Sequence, residues 1–137
     1  MKLVCDTNVV FSALIAGGKT RELIISNETH LYVPEYFFLE LDDHRSEIAR
    51  KSQIPEERIE LLYTVLFKDI EVVPREEFED RLPEASDAIG DTDPDDVPFL
   101  ALALHLDAGV WTDDTDFEQQ DEVDVWKTHD LVERFEL

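Results

Sequence analysis

Cysteine, long apolar runs and basic charge are what this sequence is short of. One cysteine, Cys5, makes an internal disulfide impossible, so nothing points to an oxidising compartment. The longest apolar stretch, Pro98 to Leu106, is far short of the roughly 20 residues that a membrane span requires, and Asp6 interrupts the N-terminal apolar run before a signal peptide could form. These absences predict a cytoplasmic protein with no membrane attachment. Basic residues are scarcer still: 12 Lys plus Arg, only five of them Lys, stand against 34 Asp plus Glu, a formal net charge of −22 with His neutral. Such a surplus repels RNA, DNA and anionic lipid in dilute buffer. Molar salt shortens the Debye length to about 3 Å and removes most of the self-repulsion, so the composition points to a salt-loving source.

What is present is enough for one folded domain over residues 1–137. A chain of 137 residues buries about two thirds of the surface its unfolded form exposes. The apolar share of 43% is too high for a disordered acidic tail, so the charge coats a folded body. Lys2 to Cys5 suits a buried parallel strand, followed by a helix from Asn8 to Ala16 that Gly17-Gly18 stops, and a short helix over Thr20 to Ser26. His30 to Val33 reads as a second strand closed by Pro34. Glu35 to Lys51 carries the 3.6 period through Phe37, Phe38, Leu41 and Ile48, and Pro55 opens a helix toward Phe67.

Asp69 to Val73 forms the third predicted strand, and Arg75 to Ala88 a helix with a break at Pro83. The acidic stretch Glu84 to Asp96 reads as a loop. Asp93 as N-cap and Pro94 at the first helical position start an almost wholly apolar helix, Val97 to Asp107, which is expected to be central. Gly109 to Thr112 and Val123 to Trp126 give the fourth and fifth strands, with at most a helical turn at Asp116 to Gln119, and Thr128 to Phe135 closes the chain. Strands alternating with helices imply an α/β fold: a parallel sheet covered on both faces, with ligands beyond the carboxyl ends of the strands.

One residue in four is acidic, so position rather than abundance must select the acids that carry chemistry. Asp6 directly follows the first strand; its plainer role is an N-cap for the next helix. Glu40 lies roughly 80° from the centre of the apolar stripe of its helix, nearer than Asp42 or Asp43, and otherwise is a solvated helix acid. Asp93, Asp95 and Asp96 all gain from the helix dipole; Asp93 suits the cap, Asp95 water, and Asp96, on the side of Leu100 and Ala103, the interior. In Thr112-Asp113-Asp114-Thr115-Asp116-Phe117, turn chemistry is the competing account, and Asp114 and Asp116 are preferred over Asp113.

Four segments, Cys5-Asp6-Thr7-Asn8, Glu40 after an aromatic-rich helix start, Asp93-Pro94-Asp95-Asp96-Val97-Pro98-Phe99-Leu100-Ala101-Leu102-Ala103 and Trp111-Thr112-Asp113-Asp114-Thr115-Asp116-Phe117, resemble in order and spacing the PIN (PilT N-terminus) domain nucleases. The likeness runs from Met1 to about Thr128, and the charge suits an acidic member of haloarchaeal type. It implies a three-layer α/β/α sandwich with a short, mostly parallel central sheet of four to five strands. It also implies a Mg²⁺- or Mn²⁺-dependent ribonuclease whose acidic cluster maps to Asp6, Glu40, Asp96 and Asp114, with Asp116 close by. Many members are the toxin halves of toxin–antitoxin pairs, so an antitoxin is an implied partner, and others mature ribosomal RNA.

Carboxylates that share a pocket repel one another unless a positive charge sits among them. Oxygen ligands without Cys or paired His select Mg²⁺ or Mn²⁺ over Zn²⁺, and water activated beside the ion would attack phosphorus in line. Asp6, Asp96 and Asp114, with Asp116, are cast as ligands, Glu40 as the base, and Thr7, Asn8 and Thr112 as donors that orient water or phosphate. RNA would then be bound through the cation, with Lys19, Arg21, Arg45, Arg50 and Lys51 either lining its approach or simply paired with surface acids. His44 is one turn beyond Glu40; His30, His105 and His129 show no metal spacing. Cys5, Trp111 and Trp126 read as core or interface residues. The apolar segments Tyr36 to Leu41 and Tyr63 to Phe67 leave room for a homodimer. Two rivals stand beside the ribonuclease: a phosphohydrolase of the haloacid dehalogenase type, which wants an acid where Asn8 stands, and a catalytically degenerate binding or regulatory module, against which the full set of acids argues.

Overall fold

The first strand, β1 (Lys2–Cys5), has Leu3, Val4 and Cys5 all fully buried, and since successive side chains point to opposite faces, both faces of the sheet must be covered. In the computed structural model, which describes all of residues 1–137, β1 is the middle of five strands. The others are β2 (His30–Pro34), β3 (Ile70–Val73), β4 (Gly109–Trp111) and β5 (Val125–Trp126), in the order β3-β2-β1-β4-β5. Every pairing is parallel, with Leu3 opposite Leu31 and Cys5 opposite Trp111. The chain thus winds outward from β1 through β2 and β3, then returns to β1's other side. The strand order reverses between β1 and β4, where open α/β sheets place a crevice.

Nine helices flank the sheet: α1 (Thr7–Ile15), α2 (Gly18–Ile25), α3 (Tyr36–Asp43), α4 (Arg45–Ser52), α5 (Glu56–Phe67), α6 (Arg75–Phe78), α7 (Leu82–Ile89), α8 (Val97–Leu106) and α9 (Thr128–Arg134). α8 packs on β1, β2 and β4 with α6 and α7 beside it, whereas α1, α2, α4, α5 and α9 pack on one another. Phe99 through Ala103 are all buried, so the apolar helix is central as its composition predicts. No helix is long and apolar enough to cross a membrane.

Several boundaries differ from the sequence reading for local reasons. The expected single helix Glu35 to Lys51 is two, α3 and α4, broken at His44 (φ −106°, ψ 9°). The two segments bury separate sets, Phe37 and Leu41 on α3 and Ile48 and Ala49 on α4. Of the acidic stretch Glu84 to Asp96, the part to Ile89 belongs to α7, as the helix expected over Arg75 to Ala88 requires, with Ala85 and Ile89 buried; only Gly90 to Asp93 lies outside helix before the 3₁₀ turn Pro94–Asp96. The break near Pro83 falls earlier, at a 3₁₀ turn over Glu79–Arg81, which leaves Pro83 in the first turn of α7, where its missing N–H costs nothing. Val123 stays outside β5 because the Gln120 side-chain amide takes both its N–H and its carbonyl, at 2.9 Å each. Gly17 ends α1 at φ 71°, ψ −123°, a conformation open to glycine. There the Arg21 guanidinium donates to the carbonyls of Ala13 (2.7 and 2.9 Å) and Leu14 (3.3 Å), capping the helix.

Candidate metal centre

The crevice at the strand-order reversal is lined by acids from four segments. Asp6 leaves β1, only 4% exposed, with its N–H on the Trp111 carbonyl (3.0 Å). It stands at the N-cap of α1, yet its side chain makes no cap hydrogen bond; it accepts the hydroxyl of buried Thr112, just past β4, at 2.7 Å. The same Thr112 oxygen accepts the Asp114 N–H at 3.0 Å, which fixes the turn after β4. Burial pushes the Asp6 carboxyl up, opposed by the Thr112 hydroxyl it accepts and by the neighbouring N–H dipoles of Asn8 and Thr7, which fall short of hydrogen-bond geometry, and reinforced by Asp114.

Asp96 sits in the 3₁₀ turn Pro94–Asp96 that leads into α8, 8% exposed. Its Oδ2 is buried with no hydrogen-bond partner. Burial, then the charges of Asp6, Asp93, Asp114 and Asp116, push its pKa up to about 8. Carboxylate oxygens of Asp93, Asp96 and Asp116 lie within 4.8 Å of one another, and Asp116 is also raised, by desolvation and then by Asp114 and Asp93. None of the ion pairs in the molecule involves any of these acids. An orphaned buried carboxylate oxygen amid like charges is unstable by itself, and an all-oxygen donor set suits a hard divalent cation such as Mg²⁺ or Mn²⁺. The residues present fit such an ion.

Glu40 reaches the rim from α3, half-buried, and accepts the Thr7 hydroxyl at 2.8 Å. Burial raises its pKa, Thr7 works against that, and Asp95 and Asp6 add to the rise. Asp93 caps the turn as expected, accepting the Asp95 N–H at 2.9 Å. It also stands with Asp96 and Asp116, a double duty that the division of roles by sequence missed; its place three residues before the inward acid was the available signal. Asp95 does not simply face water, since it accepts the Tyr36 hydroxyl at 3.1 Å. Asp113 turns away and accepts the N–H and hydroxyl of Thr128 at 2.8 and 2.7 Å, holding the start of α9. Asn8 is exposed beside Asp113 and Asp114 in a cleft of about 270 Å³.

Three of the five candidate basic residues, Lys19, Arg45 and Lys51, pair with surface acids. Lys19 pairs with Glu22, Lys51 with Glu47, Arg45 with Glu60, and Arg21 serves the end of α1. Trp111 is buried, its indole N–H on the Thr128 hydroxyl at 3.1 Å, and Cys5 is a core thiol whose pKa burial raises.

The family model for the PIN domain matches residues 4–136. A chain of VapBC2 from Rickettsia felis, in a crystal structure bound to a DNA fragment from their promoter, superposes with a TM-score of 0.70 at 13% identity, covering 93% of this chain and 98% of that one. A chain of VapBC-1 from nontypeable Haemophilus influenzae gives 0.68 at 17% identity, over 94% and 99%. At these identities the two structures speak for the fold alone. No curated protein matches the sequence.

Proposed function

We propose a function for a chain that belongs to the PIN domain family: it is a Mg²⁺- or Mn²⁺-dependent endoribonuclease whose site is the acidic rim between β1 and β4. The observation that carries this reading is the buried, unpartnered Oδ2 of Asp96 beside four more carboxylates and no cationic side chain. Asp96, Asp93 and Asp116 would hold the ion, with Asp6 and Asp114 completing the oxygen set. The bound cation supplies the positive charge that lets these acids ionise together and draws electron density from a phosphodiester. Glu40 is the base that accepts a proton from the attacking water; its raised pKa, nearer neutrality than an ordinary carboxyl, suits that exchange. Thr7 orients Glu40 and Thr112 orients Asp6, each through a single hydroxyl. Asn8, exposed at the rim, offers its amide to substrate.

Incubation with structured and single-stranded RNA in high KCl, with Mg²⁺, Mn²⁺ or EDTA, tests the reading. Cutting is expected with either metal and not with EDTA, and lost in Asp6→Asn and Asp96→Asn. Cleavage unchanged in both variants refutes the site; folded protein that binds RNA and never cuts it leaves the degenerate binding module.

Two partners belong to the same proposal. The first is an antitoxin, which the likeness to chains of VapBC assemblies supports. For its seat we propose an apolar groove of about 370 Å³, walled by Tyr36, Leu39, Phe78, Leu82 and Pro98, where Leu39 is 63% exposed. The second is another copy of the chain. α5 leaves Leu61 67% and Val65 57% exposed, opposite buried Ile59, Tyr63 and Leu66. Antiparallel pairing of two α5 helices sets Leu61 against the other copy's Val65 and Glu57 near its Lys68. Sedimentation tests this: Leu61→Glu should run as a monomer where the wild type is a dimer.

A further inference from the structure

We infer that the groove between α1 and α4 is a nucleoside subsite, which takes one unpaired base next to the phosphodiester that the rim acids address. The groove holds about 410 Å³ and begins at Glu40 and Asn8, on the edge of the acidic centre. Its floor is apolar: half-buried Phe11 and Ile15 from α1, and buried Ile48 from α4. The Phe11 ring is held edge-to-face against His44, with centroids 5.2 Å apart at 62°. An aromatic face of this kind is the usual stacking platform for a base and is tolerant of sequence.

The polar groups of the groove are placed to read an edge. Asn8 and Ser12 are one turn apart on the exposed side of α1. Neither side chain is taken up in an internal hydrogen bond, unlike those of Thr7, Thr112 and Thr128 nearby. An amide and a hydroxyl together present donors and acceptors that match a Watson–Crick edge, which is free only in single strands. The same two residues line the cleft that holds Asp113 and Asp114, so the α1 ridge joins the groove to the metal centre.

Charge argues for a base here rather than a phosphate. The basic side chains of the groove, Lys51 and His44, are both engaged by Glu47, at 2.6 and 3.1 Å, and Glu40 and Glu47 are carboxylates that oppose an anion. A chain of net charge −22 has few phosphate contacts to offer. Stacking and hydrogen bonding survive high salt and supply the affinity that ion pairing does not.

This inference rests on the ribonuclease reading for its substrate, but its test does not need turnover. Amide chemical shifts are followed while a single-stranded RNA pentanucleotide is titrated into the full chain in molar KCl and EDTA, and the dissociation constant is taken from the curve. Shifts should concentrate at Phe11, Ser12, Ile15 and Ile48. Phe11→Leu, which keeps the apolar contact, should weaken binding roughly tenfold, Phe11→Tyr should not, and the duplex of the same sequence should bind worse. Shifts elsewhere, no binding, or equal affinity in Phe11→Leu and wild type overturns the subsite; a thermal melt of each variant shows that it is folded. Mg²⁺-dependent cutting by a protein whose variants bind equally sinks the subsite and leaves the nuclease. Groove binding without any cutting sinks the nuclease and leaves the subsite.

Discussion

Asp96 and Glu47 are both acids in a chain crowded with acids, and their surroundings drive them in opposite directions. Glu47 lies on α4, where Lys51 and then His44 hydrogen-bond its carboxylate and pull its pKa down to about 2. Asp96 lies at the sheet rim, where burial and four like charges push its pKa up to about 8. The α4 surface has its counter-charge built into the sequence, four residues along one helix. At the rim no ion pair supplies a counter-charge, and under the proposed function a bound cation would supply it. The difference separates acids whose charge the chain offsets along one helix from acids it gathers without an ion-pair partner.

The comparison breaks most severely at Asp96. Asp96→Asn should lower Mg²⁺-dependent RNA cleavage by at least about 100-fold, the upper end of what loss of even an outer partner of a metal costs. It should also cancel the stabilisation by Mg²⁺, about 2.7 kcal/mol for the wild type at a hundred times Kd, as read from thermal melts. In EDTA at pH 8 the same variant should melt higher than wild type, since it removes a buried charge that its neighbours oppose. A variant that still gains stability from Mg²⁺ would show that the ion binds elsewhere.

pH sharpens the contrast. The folded pKa of Asp96, about 8, lies above its ordinary value of 3.8, so between them the folded state holds a proton that the unfolded chain has released. Stability in EDTA therefore falls as pH rises from 5 to 8, with a slope approaching 1.4 kcal/mol per unit for one proton. Asp6, Glu40 and Asp116 are displaced in the same direction. Glu47 has the opposite sign: its contribution is present above its ordinary value of 4.5 and is lost only as pH falls toward 2. Melting curves at pH 5 and pH 8 should flatten in Asp96→Asn.

Salt acts more evenly. Raising KCl from 0.1 to 1 M shortens the Debye length from about 10 to 3 Å, so the midpoint of urea unfolding should rise with KCl in the metal-free protein. A midpoint that stays level would remove the case for a salt-loving source. The smallest effect belongs to Glu47→Gln, an exposed pairing whose loss should leave both the Mg²⁺ response and the cleavage rate at wild-type values.

The layer plan was legible in the sequence because period and punctuation are local. Pro34 and Pro74, Gly17, and the Asp93-Pro94 start each mark a boundary by a rule of backbone geometry. The break at His44 was not, because no proline or glycine marks it and it depends on contacts with neighbouring helices. Asp6 and Asp96 could be singled out at strand and helix ends, yet Asp113, Asp114 and Asp116 share one turn. Asp113 is the least favoured of them in the sequence, and the hydrogen bonds it accepts from Thr128 give the reason it turns away.

The sequence by itself determined an acidic α/β fold, the strands and the apolar helix of its interior, and the set of carboxylates from which a site could be drawn. Tertiary structure alone decided which carboxylates meet. Winding the chain outward and back past β1 brings residues 6, 93, 96, 114 and 116 to one crevice, and a carboxyl's pKa depends on distances of a few ångströms that no spacing along the chain can supply.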